Sequence, residues 1–102
     1  MAKASEKTPS KIAFGDRLHA AIMASGYESD AAFAKRVRIS NKRLGNYIAG
    51  WRWPDPELLA DMCEILECTS DWLYWGKRAG LLGEFRDRID AYYEEQSRSA
   101  GK

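Results

Sequence analysis

Five cations, Lys35, Arg36, Arg38, Lys42 and Arg43, fall within nine residues, and no acid interrupts them. Two amides, Asn41 and Asn46, lie in the same stretch. Ammonium and guanidinium groups neutralise phosphate, and with amides they can donate to and accept from base edges. Other chemistries are poorly served. The one histidine, His19, has no nucleophile or metal ligand near it in sequence, and neither a glycine-rich phosphate loop nor a nucleophile elbow is present. The acids of the C-terminal half are scattered and form no recognisable pair. The chain is therefore not expected to be an enzyme, and no cofactor is implied. Cys63 and Cys68 stand five apart, which fits neither a CxxC metal pair nor two positions on one helix face. Reduced, packed thiols are expected, with no metal site.

These cations need a scaffold, and DAAFAKRVRISNKRLGNYIAG at 30–50 supplies one. Ser29 is a good N-cap and Asp30 suits the positive end of a helix dipole. Ala31, Phe33, Ala34 and Val37 then give a short amphipathic helix. Arg38 and Ile39 form a turn, Ser40 caps again, and Leu44, Tyr47 and Ile48 set the next helix on the core by i, i+3, i+4 spacing. Asn41, Lys42, Gly45, Asn46 and Ala49 are left on the outer face. Gly45 costs helix stability by about 1 kcal/mol relative to alanine, a cost that close approach of something large would justify. The expectation is a helix-turn-helix suited to duplex DNA.

The remaining elements read as packing for this hairpin. Phe14, Leu18 and Ile22 predict a helix over 14–25 that Gly26 ends. After Gly50, Trp51-Arg52-Trp53-Pro54 is a loop, and Trp51 and Trp53 are expected to pack locally against Pro54 or the following helix, the alternative being contact with a sugar-phosphate edge or a subunit interface. Pro54 and Pro56 lead a fourth helix with a buried stripe of Leu58, Leu59, Met62, Cys63 and Leu66. A short fifth helix over 71–75 is anchored by Trp72 and Leu73 and stopped by Gly76. Over 81–96, Leu82, Phe85, Ile89 and Tyr92 or Tyr93 form a further stripe, to be buried on its own domain or on a second copy. The fold class is all-α. No strand pattern or repeat appears.

Length allows one domain with tails: 1–10 a polar, disordered tail, 11–76 the DNA-binding domain, and 77–102 a C-terminal helix for dimerisation or partner binding. Lys3, Lys7 and Lys11 could let the tail follow a phosphate backbone. There is no run of 18 apolar residues and no secretory signal in MAKASEKTPSK, so a cytoplasmic protein that does not cross a membrane is expected. The net charge of +1 conceals a division. Residues 10–53 carry eight bases against three acids, and residues 54–102 six bases against eleven acids. A dipole of this kind steers a polyanion toward the first half.

Taken in order, FGDRL at 14–18, SGY at 25–27, FAKRVRIS at 33–40, LGNYIAG at 44–50, PDPELL at 54–59 and SDWLYWG at 70–76 resemble the lambda-repressor-like, or Cro-type, helix-turn-helix family. The resemblance covers about three fifths of the chain. It implies a compact five-helix domain, to which this chain adds a C-terminal helix, and commonly a homodimer on a palindromic operator. Carried over by position, Ser40 matches the recognition-helix cap, and Asn41, Lys42 and Arg43 match base-reading positions. Ser29, Lys35, Arg38, Ser40, Asn46 and Arg52 are expected to meet the DNA backbone. Three features depart from the pattern. Asp30 stands where a glutamine usually bonds phosphate, and Ser29 or backbone N–H groups must replace that contact. The segment 26–33 is one residue longer than the commonest pattern. Ile22 and Ile48 replace a common ion pair together, which predicts that they touch.

The function implied is a sequence-specific double-stranded DNA-binding transcriptional regulator, a small phage-type or bacterial repressor. Two alternatives use the same residues: the antitoxin of a toxin–antitoxin pair, with 81–96 binding the toxin, and a protein-interaction module that has lost DNA binding.

Overall fold

The computed structural model describes residues 6–100, and residues 1–5, Lys3 of the tail among them, lie outside that range. All regular elements among the described residues are helices: α1 Pro9–Ala24, α2 Asp30–Arg36, α3 Asn41–Ile48, α4 Pro56–Leu66, α5 Ser70–Trp75 and α6 Gly83–Ala100. None is long and apolar enough to cross a membrane.

Local chemistry sets most of the boundaries. Thr8 accepts the Lys11 N–H at 3.2 Å and Pro9 takes the first helical position, so α1 starts five residues before the expected Phe14. A capping threonine followed by proline is a helix start in its own right, and the apolar stripe alone does not reveal it. Ser29, Ser40, Asp55 and Thr69 cap the next four helices in the same way, each accepting from the backbone N–H three residues on. At the other ends, Gly50 and Gly76 sit at φ 90° and 74°. Arg38 and Glu67 occupy the same left-handed region at φ 63° and 60°, although neither is glycine.

Phe14, Leu18, Ile22, Phe33, Leu44, Met62 and Leu73 are fully buried and form the centre. Ile22 is fully buried, and Ile48 is partly buried against the same cluster. α1 packs closely on α3 at Gly15. A Cβ built on Gly15 would stand 2.1 Å from the Ile48 carbonyl oxygen and 2.7 Å from that of Tyr47, so only a hydrogen fits there. Arg17 ties α1 to α5: its guanidinium donates to the Leu73 carbonyl at 2.9 Å, a cation at a helix C-terminus.

Three expectations need correction. The tryptophans are not confined to local partners: Trp53 stands edge-on to Phe14 at 5.5 Å and beside Tyr74 at 5.2 Å, bridging α1 and α5. Trp51 is exposed, with the Lys7 ammonium 4.7 Å above its ring. In the C-terminal stripe, Leu82 is 59% exposed and Leu81 is buried instead, because α6 begins only at Gly83 and shifts the phase. Phe85 and Ile89 are fully buried within this chain, Phe85 edge-on to Trp72 at 5.2 Å, and α6 lies along α1.

Third, the cysteines are not independent. α4 ends at Leu66, Glu67 turns left-handed, and the Cys68 N–H returns to the Cys63 carbonyl at 3.0 Å. This is a Schellman turn, whose geometry brings the residue after the turn back over the last helical turn. A spacing of five therefore pairs the two residues.

Substituting Gly15 by alanine must push α1 away from the α3 carbonyls. Gly15→Ala is expected to lose about 1–3 kcal/mol of stability, as overpacking of a tight contact does, measured by urea unfolding. Unchanged stability would show that the two helices can separate without cost.

Candidate nucleic-acid interface

α3 joins the core to a charged outer face. Leu44 and Tyr47 are buried, which fixes the helix rotation and sends Asn41, Lys42, Arg43 and Gly45 outward, all four exposed. Ser40 accepts the Arg43 N–H at 3.0 Å, so the helix starts firmly at Asn41. A Cβ added at Gly45 would meet nothing within 4 Å. Its neighbours in this fold thus give no reason for a glycine there.

A broad concavity of about 640 Å³ opens beside this face. α3 and its cap contribute Ser40, Lys42, Arg43 and Asn46, and the following loop contributes Arg52 and Trp53. Lys11 enters from the first turn of α1. Four cations thus converge on one open surface, with Asp55 as its single carboxylate. Lys11 is brought here because α1 begins at Pro9; as a member of a tail it could not be placed.

Arg43 behaves differently from its neighbours. Its Nε donates to the Tyr47 hydroxyl at 2.7 Å, and its terminal nitrogen lies 3.0 Å from Asp55. The Tyr47 bond first, and the nearby carboxylate next, push the guanidinium pKa further up. Asp55 divides its two oxygens: one meets Arg43 and the other accepts the Leu58 N–H at 2.9 Å, capping α4. The Arg43 side chain therefore lies along the helix toward α4, leaving Asn41 and Lys42 as the uncommitted outward groups of the first turn.

The other expected backbone residues lie apart from this concavity. Ser29 caps α2, accepting the Ala32 N–H at 3.2 Å. Lys35 is exposed on the last turn of α2, where a cation also suits the helix dipole. Arg38 faces a separate, smaller recess with Arg36, opposite Asp61 and Glu64 of α4, which offset its charge. Asn41 is exposed but does not line the concavity.

Asp30, the residue least suited to phosphate, has a partner on α1. Its carboxylate lies 2.9 and 3.1 Å from the His19 Nδ1. His19 is on α1 and far in sequence, so no local spacing signals the pair. The carboxylate is turned toward α1 and is not left pointing alone from the helix start.

Among the described residues no group of three or more histidine, cysteine or acidic side chains could hold a metal ion. Comparisons with protein-family models, with curated proteins and with solved structures give no match for this chain.

Gly45→Ala has no steric obstacle and gains helix propensity. It is expected to raise stability by about 1 kcal/mol in denaturant unfolding. A loss of stability would mean that Gly45 serves the fold itself.

Proposed function

We propose that the chain is a sequence-specific double-stranded DNA-binding regulator with a lambda-repressor-like fold, acting as a small repressor in the cytoplasm. One observation carries the reading: a capped, well-anchored helix bears Asn41 and Lys42 on a bare outer face, beside a concavity where Lys11, Lys42, Arg43 and Arg52 converge. Phosphates supply most of the affinity of such a surface and base edges supply its choice of sequence.

In this reading α3 enters the major groove. Lys42 donates to the guanine acceptors O6 and N7, and Asn41 pairs with adenine. Arg52 and Lys11 meet phosphates on the flank, and Asn46 and the Ser40 end of the helix meet the backbone. Gly45 lets the groove wall come close to the helix. Asp30, engaged by His19, takes no part in phosphate binding; Ser29 and the first N–H groups of α2 take that place. Two copies on a palindromic operator complete the arrangement.

Selection of duplexes from random sequence, followed by binding at two salt concentrations, tests the proposal. Enrichment of a defined site with affinity falling as salt rises supports it; no enrichment together with salt-independent affinity overturns it. Lys42→Ala should relax preference at particular base pairs and cost about 1–3 kcal/mol on the selected site. Arg52→Ala should weaken all duplexes alike and reduce the salt slope by about one. Base-selective loss from Arg52→Ala would reverse the two roles. Gly45→Ala, although stabilising, should bind the selected site less tightly.

A further inference from the structure

The turn that closes α4 gives two cysteines a relation that a continuous helix would deny them. Five positions along a helix rotate a side chain by roughly 140° from its starting direction, so Cys68 would point away from Cys63. Glu67, at φ 60° and ψ 40°, reverses the chain instead. The Cys68 N–H then binds the Cys63 carbonyl at 3.0 Å. A disulfide spans Cα atoms roughly 4.4–6.8 Å apart, and a direct backbone hydrogen bond between two residues holds them in that neighbourhood.

Both thiols are free and half-buried. The Cys68 thiol donates a hydrogen bond to the Cys63 sulfur, and this bond pulls the Cys63 pKa down against the opposing effect of burial. The same bond, with burial adding to it, pushes Cys68 up. One sulfur is thus favoured as thiolate, and its neighbour is kept protonated beside it. That division of roles suits an attacking and a resolving thiol, since thiolate character governs the first step of exchange.

We propose that Cys63 and Cys68 are a reversible modification site that a low-molecular-weight disulfide of the glutathione class oxidises to an intramolecular disulfide. The Cys63 thiolate attacks one sulfur of the small disulfide. The small S–S bond breaks, and one small thiolate leaves and takes up the proton that Cys63 gave. A mixed disulfide then stands on Cys63. Cys68 loses its proton and attacks the Cys63 sulfur; the second small thiolate leaves and is protonated in turn. Two protein thiols have lost two electrons and two protons, and the small disulfide has become two thiols. The new bond clasps the end of α4 to the residue preceding Thr69, the cap of α5. This site is independent of the DNA-binding reading.

The test uses the full chain in its native state, incubated with excess glutathione disulfide, quenched with acid and weighed intact. The expected product has lost two hydrogens, carries no adduct and stays monomeric on a non-reducing gel. Peptide mapping should join Cys63 to Cys68, and dithiothreitol should restore the starting mass. Cys68→Ser should stop at one glutathione adduct on Cys63, with circular dichroism confirming that the variant is folded. The wild-type result stands alone if it is not. A stable adduct on wild-type protein, a disulfide between chains, or no reaction would each overturn the proposal.

Discussion

Everything on the outer face of α3 depends on how closely its other end can lie on α1. At Gly15 the α1 backbone rests directly on the last carbonyls of α3, with room for a hydrogen and nothing larger. The contact recurs just beyond the helix. Gly50, at φ 90°, faces Ile12 so closely that a Cβ would come within 2.8 Å of that side chain. A helix held by its C-terminal end needs no support along its outer side. The first turn, with Asn41 and Lys42, is consequently left clear while its position is fixed to the precision of a backbone contact. Rigid placement of a bare surface is what recognition of a stiff partner requires.

The helices were readable where apolar spacing and capping residues agree, as in Ser29, Ser40 and the Phe14–Leu18–Ile22 stripe. Reading failed where a boundary depended on chemistry without a stripe. Thr8 and Pro9 start α1 before its first buried aromatic, and that early start is what carries Lys11 to the candidate interface. It failed again where contacts join distant residues. The His19–Asp30 and Arg43–Asp55 pairs cross between elements, and no periodicity reports which charged side chains will meet. Trp53 shows the same limit: its ring partners lie on α1 and α5, neither adjacent to it in the chain. Cys63 and Cys68 show a finer one. Their pairing follows from a left-handed glutamate, a conformation that a non-glycine residue rarely takes, so helical arithmetic gave the wrong relation.

Charge on this protein is organised by pairs as much as by halves. One acid of the basic half is turned onto a histidine, and the loop acid Asp55, just beyond that half, is shared between a helix cap and Arg43. On the acidic half, Arg78 meets Asp90 at 2.8 Å and Arg88 approaches Glu67 at 3.5 Å. These exposed pairs contribute little to stability individually. Lys42 on the face of α3 and Arg52 in the loop after it stand outside these pairs.

Asp55 gives that face an unusual accounting with small ions. A polyanion that meets a bare cation expels one condensed counterion from itself, and the entropy of that release drives association in dilute salt. Arg43 already has its own fixed anion. If it swings to a phosphate, the phosphate sheds its counterion, but Asp55 is left to attract a sodium or potassium ion in return. The carboxylate keeps its other oxygen on α4, so the exchange leaves the scaffold intact. Under the proposed DNA-binding role, Arg43 lends orientation to the duplex while adding less to the ionic-strength dependence than its charge suggests. A surface built this way is less indiscriminately adhesive than a tally of its cations implies.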